Sequence, residues 1–297
     1  MALVARDYAG DDDLRRMQAL VSERWRRLGP LAPTHVGDLA WWMYQHPDTF
    51  AEARIRLWLE DGDTAAFGWL WTRRRQLDFA VHPEHSELAG EVLAWAGGDA
   101  ERTWALDADR QTVDAILAAG YERDDRRWYE HHARALEDEV EAPTLPRGYA
   151  VRTVRGAVDL ERRVAVHRAA FHPSRVVTKS YARLMRTWPY RPDLDHVVQA
   201  PDGSFAAFCL GWLDEDNRAG LLEPVGTHPG HRRLGLASAV CLAALRALRA
   251  RGARHAVVLS DGGSAATPLY ESIGMRVAAR HVAFRRAAGK GTVEPGV

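Results

Sequence analysis

The sequence predicts an α/β chain of the α+β kind, folded as two tandem domains that are each a mixed, mainly antiparallel sheet flanked by helices. Three observations carry that expectation: short segments that recur in the same order in the two halves, a shared progression of apolar patterns within each half, and a proline-bearing stretch between them. The recurring segments are Ala65-Ala66-Phe67-Gly68-Trp69-Leu70 with Ala206-Ala207-Phe208 and the following Gly211-Trp212-Leu213, then Phe79-Ala80-Val81-His82-Pro83 with Val225-Gly226-Thr227-His228-Pro229, then Gly120-Tyr121 with Gly274-Met275. The distance from the His-Pro pair to the later glycine is longer in the second half, which predicts an extra loop after that pair. A chain of 297 residues also has room for two cores, since domains of about 100–150 residues are commonest. The prolines and glycine of Glu141-Ala142-Pro143-Thr144-Leu145-Pro146-Arg147-Gly148 suit an extended connection. The expected division is therefore a first domain at 1–140, a linker at 141–148, a second domain at 149–288 and a flexible tail at 289–297.

In each half the apolar patterns run from a helix-rich beginning through β-strands to a strand–helix–strand unit. The period of Trp128–Glu139 is ambiguous. Asp159–Phe171 is helix-like, and Val197–Ala200 with Phe205–Leu213 flank the turn Pro201-Asp202-Gly203-Ser204, which predicts an antiparallel hairpin. Leu221–Thr227 is a further strand. Ala237–Arg251 is a helix whose apolar face is Val240, Leu242, Ala243, Leu245 and Leu248, with Gly252 as its stop. His255–Leu259 is the next strand, Ala265–Ser272 a second helix ending at Gly274, and Met275–Ala279 with Val282–Phe284 are closing strands.

Composition narrows the function. Apolar residues make up 46% and charged residues 27%, with 40 basic side chains against 40 acidic ones, so there is no electrostatic reason for a polyanionic partner and nucleic acid is disfavoured. The basic residues are almost all Arg, with Lys only at Lys179 and Lys290, which fits a coding bias better than phosphate recognition. Cys209 and Cys241 both lie in apolar runs and read as two buried thiols, so neither a disulfide framework nor a bound metal is expected. The N-terminus lacks the basic start and apolar core of a secretory signal, and no run of about 18 apolar residues predicts a membrane span. The expected location is cytoplasmic, with no membrane partner, and the sequence leaves a homodimer open.

The most informative segment runs from Val225 through Gly226, Thr227, His228, Pro229, Gly230, His231, Arg232, Arg233, Leu234, Gly235 and Leu236 to Ala237, from a strand end through a turn into a long helix. Gly235 removes a Cβ where a phosphate would approach the backbone, and small Ala237 leaves room in the first helical turn. Free N–H groups and the positive end of the helix dipole would face the anion, with Arg232 or Arg233 adding charge. An ordinary strand-to-helix turn with surface arginines is the plainer alternative. Arg232, Gly235 and Ala237 occupy the pattern Gln/Arg-x-x-Gly-x-Gly/Ala, and the segment resembles the pyrophosphate loop of the GNAT N-acetyltransferase superfamily. Downstream, Ala266, Leu269, Tyr270 and Gly274 are similar to that superfamily's Ala-x-x-Leu-Tyr…Gly-Phe signature, with Met275 in place of the usual aromatic residue and Gly262-Gly263-Ser264 where Asn is common. The resemblance covers roughly Leu221–Arg286 and, more loosely, extends back to Gly148.

The resemblance implies acetyl-coenzyme A as the cofactor, held by Val225, Gly226, Thr227, Arg232, Arg233, Leu234, Gly235, Leu236 and Ala237. It also implies a bulge that splays the strand before the loop from its neighbour, so that amides near Val225–Thr227 pair with the pantetheine arm and polarise the thioester carbonyl. An alkyl amine is protonated at neutral pH, so a base must take a proton before attack, and the departing thiolate then needs one. Tyr270 matches the superfamily's general acid, the alternative being a core Tyr satisfied locally. Glu223 is the candidate base, directly or through water, against a polar residue on a solvent-facing strand side. His228 is a further candidate base, but its counterpart His82 lies in a half without the loop, which favours a structural His-Pro turn. The segment His172–Asp195, with Trp188-Pro189-Tyr190-Arg191-Pro192-Asp193, falls where the superfamily builds its acceptor pocket; packing on the neighbouring domain is the alternative.

The first half departs from the pattern. Glu84-His85-Ser86-Glu87-Leu88-Ala89-Gly90 puts acidic residues where phosphate would lie, and Ala115-Ile116-Leu117 stands where Leu269-Tyr270 stands in the second half. This implies a copy that has lost catalysis, an arrangement resembling tandem members of the superfamily such as mycothiol synthase. The expected function is acetyl-CoA-dependent N-acetylation of a primary amine of a small molecule by the second domain; a non-catalytic acyl-CoA-binding or regulatory protein is the alternative.

Overall fold

At Gly120 and Gly274 the backbone adopts φ of 82° and 78°, and this left-handed turn, which glycine accepts without a Cβ penalty, sends the chain from the last helix of each half into its closing strand. A computed structural model describes residues 3–287, and the tail expected at 289–297 lies outside the described residues. The first half comprises β1 (Leu3–Asp7), α1 (Asp11–Leu28), α2 (Val36–Tyr44), β2 (Ala53–Glu60), β3 (Asp63–Trp71), β4 (Gln76–Val81), α3 (Leu88–Ala96), β5 (Arg102–Leu106), α4 (Arg110–Ala118) and β6 (Tyr121–Ala135). The second comprises β7 (Ala150–Thr153), α5 (Leu160–Ala170), α6 (Thr178–Leu184), β8 (Asp195–Gln199), β9 (Phe205–Asp214), β10 (Ala219–Thr227), α7 (Leu236–Ala250), β11 (His255–Asp261), α8 (Ala266–Ser272) and β12 (Arg276–Arg286).

The expected fold class is observed: pairing is mainly antiparallel, with one parallel step in each half, β4 with β5 and β10 with β11. The strands form a single 12-stranded sheet in the order β1-β2-β3-β4-β5-β12-β6-β11-β10-β9-β8-β7. The halves have exchanged their last strands. β12 of the second half pairs with β5 of the first, placing Val282 opposite Ala105, while β6 of the first half pairs with β11 of the second, placing His132 opposite Val258. β6 and β12 pair with each other and close the seam. Most of the ambiguous Trp128–Glu139 pattern, up to Ala135, thus belongs to a strand that lies between two strands of the other half. The two closing strands expected at Met275–Ala279 and Val282–Phe284 are one strand, irregular between Val277 and Ala279 and between Val282 and Ala283.

Hydrogen bonds support the duplication. Ala65 O accepts the His82 N–H at 2.7 Å, and Ala206 O accepts the His228 N–H at 2.8 Å. The register continues alike, with Ala66 opposite Val81 and Phe67 opposite Ala80 in one copy, and Ala207 opposite Thr227 and Phe208 opposite Gly226 in the other. The extra length after His-Pro, however, is chiefly helix rather than loop, because α7 has 15 residues where α3 has 9.

One apolar core spans both halves: Leu14, Trp25 and Leu39 share it with Leu210, Trp212 and Leu221. All ten residues of β9 are buried, between α7 on one face and α2 and α5 on the other. Contact with α2 is close, since a Cβ at Gly37 would stand 2.3 Å from Trp212 Cγ. His35 fixes the junction: its Nδ1 accepts the Gly37 N–H at 3.0 Å and its Nε2 lies 3.1 Å from Ala219 O on β10. Among the described residues no helix is long and apolar enough to cross a membrane.

Candidate active site

The strand β10 leads into the turn that the sequence marks for phosphate. His228 begins it by accepting the Gly230 N–H on Nδ1 at 3.1 Å, as His82 accepts the Glu84 N–H at 3.2 Å in the first half. Both histidines therefore cap a backbone turn. Arg233 and Gly235 then adopt φ of 62° and 73°, which rotates successive amides toward one side of the loop. Leu236, 1% exposed, anchors the start of α7 in the core. Among the described residues the backbone N–H groups of Leu234, Gly235, Leu236 and Ala237 donate to no acceptor. A Cβ at Gly235 would meet nothing within 4 Å, so the loop is open on that side, and Arg232 and Arg233 are exposed beside it. Unsatisfied amides, the helix dipole and two guanidinium groups make this turn suited to an anion.

One strand back, β10 parts from β11. The parallel pairing covers only Ala219–Leu221 against His255–Val257, although both strands continue. On the other side the register with β9 shifts between Leu222 and Val225, the mark of a β-bulge at Glu223-Pro224. Proline has no N–H to give to the ladder, and Trp212 Nε1 donates to the Glu223 carbonyl at 2.6 Å, fixing the bulge from beneath. Val225, Gly226 and Thr227 stay paired with β9, so their other edge faces the gap.

The gap opens into a cavity of about 550 Å³. Glu223, Val225 and Tyr270 line it, together with Leu259 and Ser260 of β11. The remaining loop residues, Gly226, Thr227 and Arg232 to Ala237, are not in its wall; they continue outward along the strand and turn. Burial and the neighbouring Asp38 charge push the Glu223 carboxyl up to about 8. Tyr270 is 5% exposed, and burial, reinforced by Cys241, Glu223 and Cys209, holds its phenol protonated far above neutrality. Its hydroxyl has no hydrogen-bond partner among the described residues. Its ring packs 5.2 Å from His132, a residue of the exchanged strand β6, and His132 Nε2 lies 2.9 Å from Ser260 Oγ.

The far wall of the cavity belongs to the first half. Asp38 of α2, Asp78 of β4, and Trp41, Trp42 and Trp71 line it. Burial raises Asp38 to about 7, Asp78 adding to the effect. Asp78 is raised to about 6 by burial, against the hydrogen bonds it accepts from Gln76 and from Trp71 Nε1, the latter at 2.7 Å. None of these first-half residues is singled out by the sequence motifs, because the half that carries them lacks the loop signature. In that half the corresponding turn is filled by charge pairing, with Arg27 of α1 donating to Glu84 at 2.8 Å. The segment His172–Asp195 contributes a buried network instead: Tyr181 and Tyr190 donate to Asp195, which also accepts from Arg163 at 2.9 Å.

A family model described as the acetyltransferase (GNAT) family matches residues 162–275. The chain is 30% identical over 219 residues to a mycothiol acetyltransferase of Kineococcus radiotolerans, covering 70% of this chain and 71% of that protein. It is 30% identical over 260 residues to a mycothiol acetyltransferase of Thermobispora bispora, covering 79% and 84%. Among solved structures the fold is similar to a GCN5-related N-acetyltransferase from Sphaerobacter thermophilus, with TM-score 0.64, 21% identity and 95% of each chain covered. It is also similar to a tandem GNAT protein from the clavulanic acid biosynthesis pathway, with TM-score 0.64, 17% identity and coverage of 97% of this chain and 99% of that one.

Proposed function

Starting from the fact that the chain belongs to the GNAT family and is an N-acetyltransferase, we propose that its second half binds acetyl-CoA and transfers the acetyl group to a primary amine of a small molecule. The observation that carries this is the meeting of Glu223 and Tyr270 in one cavity where β10 leaves β11, with unsatisfied amides one turn further on. The loop fits the group it would hold: Gly235 offers the backbone without a Cβ, and the amides of Leu234 to Ala237 lack acceptors. Acetyl-CoA, when bound, supplies a thioester whose carbonyl carbon accepts the amine.

Glu223 as carboxylate takes a proton from the acceptor ammonium, and a carboxyl raised to about 8 is matched to that task near neutral pH. Tyr270, held protonated, gives its phenolic proton to the departing thiolate. The edge of Val225–Thr227 that faces the gap orients the pantetheine arm, while Arg232 and Arg233 add charge at the diphosphate. Enclosure by the first half excludes water and favours a small acceptor over a protein segment; the name carried by the relatives, mycothiol acetyltransferase, points the same way. Catalysis would take place in the cytoplasm.

Thiol release from acetyl-CoA across a panel of amines tests the proposal. Tyr270→Phe is expected to lower kcat by about 10²–10⁴-fold while calorimetry shows unchanged acetyl-CoA affinity. Loss of cofactor affinity with kcat retained would refute the role of Tyr270, and absence of acetyl-CoA binding by the intact protein would refute the proposal as a whole.

A further inference from the structure

We propose that the acceptor carries two positive charges, the reacting ammonium at Glu223 and a second cation at Asp78, so that the substrate class is a small diamine. This rests on the assignment of Glu223 as the group that meets the reacting amine.

The duplication itself supplies the geometry. Matching the equivalent hydrogen bonds of Ala65 with His82 and of Ala206 with His228 aligns Trp71 of β3 with Trp212 of β9. Each indole reaches across to the neighbouring strand: Trp71 donates to the Asp78 carboxylate at 2.7 Å and Trp212 to the Glu223 carbonyl at 2.6 Å. Asp78 lies four residues before His82 and Glu223 five before His228, and the β-bulge in β10 accounts for the one-residue difference. Asp78 is therefore the counterpart of Glu223 in the first copy. Exchange of the closing strands brings both carboxylates into the wall of the same cavity.

The charge around them is unbalanced. The cavity is lined by five acidic side chains, Asp38, Asp78, Asp109, Glu223 and Asp261, against the guanidinium groups of Arg24 and Arg74. Arg24 is committed to Asp109 at 3.0 Å. Arg74 is exposed and lies 5.4 Å from the Trp71 ring centroid, with His46 as its polar neighbour at 3.5 Å; its charge favours the ionised Asp78 only weakly against burial and forms no ion pair with it. Among the described residues no ion pair reaches Asp38, Asp78 or Glu223, and Tyr270 lines the same space. Asp78 and Asp38 accept hydrogen bonds but have no cationic partner; carboxylates withdrawn from water without a countercharge are costly, and a ligand cation relieves the cost. Trp41, Trp42, Trp71, Trp104 and Tyr129 add aromatic surface, which suits the same charge. A monoamine would satisfy Glu223 and leave Asp78 unpaired, and an amino acid would set a carboxylate against it.

Calorimetry on the full-length protein with hexamethylenediamine, hexylamine and aminohexanoate tests this without needing turnover. The diamine is expected to bind at least about tenfold more tightly than hexylamine, with aminohexanoate weakest. Asp78→Asn should reduce the diamine to the level of hexylamine and leave acetyl-CoA affinity unchanged; Trp71→Phe, which removes the donor that orients Asp78, should move it in the same direction. Equal binding of diamine and monoamine, including no binding of either, overturns the proposal, as does a folded Asp78→Asn variant that binds the diamine like the wild type. Acetyl-CoA affinity is measured in the same series, and its absence would instead sink the assignment of the cofactor site.

Discussion

Among individual residues, Glu223 is where sequence and tertiary surroundings meet most directly. Its position before the loop is visible in the sequence, but its chemistry depends on Asp38, which is more than 180 residues away in the chain and packs nearby through α2. If Glu223 is the base, as proposed, the wild-type dependence of kcat/KM on pH rises through about 8, where the carboxylate form that takes the proton appears. Asp38→Asn removes a like charge, so the Glu223 carboxyl ionises more easily and the rise moves to lower pH. Asparagine can still accept the His35 N–H that Asp38 now accepts at 2.7 Å, which keeps the helix cap. A pH profile that does not move would show that Asp38 and Glu223 are uncoupled. Tyr270 was legible from its motif, whereas Asp38, Asp78 and Trp71 were not, because only packing carries them to the site.

Secondary elements show the same division. The strand–turn–helix unit of β10, loop and α7 is written locally, since glycine at φ 73° and a buried Leu236 are enough to define it. Gly235→Ala separates the loop's two roles. No atom obstructs the new methyl group, so the change costs about 1–2 kcal/mol from the left-handed backbone alone. Cofactor affinity should fall by a larger margin, at least about a hundredfold, because the methyl group projects where phosphate would approach. Calorimetry with acetyl-CoA and thermal denaturation read the two effects, and an unchanged Kd would remove the loop from the cofactor site. The opening between β10 and β11 was foreseen only through the resemblance; in the structure it follows from the Glu223-Pro224 bulge and the indole of Trp212 beneath it.

At the scale of the whole molecule the exchanged strands decide how independent the halves are. A fragment of residues 149–297 lacks β6, which exposes the edges of β11 and β12 and removes His132 from beneath Tyr270. That fragment should not reach a cooperative fold as a monomer, and circular dichroism with thermal denaturation would check it; a sharp transition matching that of the full chain would contradict the importance of the exchange. Stability against pH is also set by the whole structure. His35 and His131 are depressed to about 4, and His167 and His281 to about 3, all chiefly by burial. Below about 6.5 the unfolded chain takes up protons that the folded one refuses, so these groups make stability fall as pH drops. Asp78, Asp38 and Glu223, raised to about 6, 7 and 8, act oppositely: the folded chain keeps protons that the unfolded one releases, and that stabilisation is lost as pH rises through those values. Tm should therefore decline between pH 6.5 and 8, and Glu223→Gln should flatten the decline. A Tm that climbs across this interval would show that the carboxylates ionise freely in the fold.

The sequence by itself determined the duplication, the general progression of elements in each half, and the loop with its tyrosine-bearing helix, because each is specified by residues close together in the chain: alternation for a strand, a glycine for a left-handed turn, a small residue at a helix start. Only the tertiary structure decided that the halves trade their final strands and that the first copy supplies the far wall of the cavity beside Glu223 and Tyr270. Those outcomes depend on which edges pair and which faces bury one another across more than a hundred residues, and local spacing holds no record of that choice.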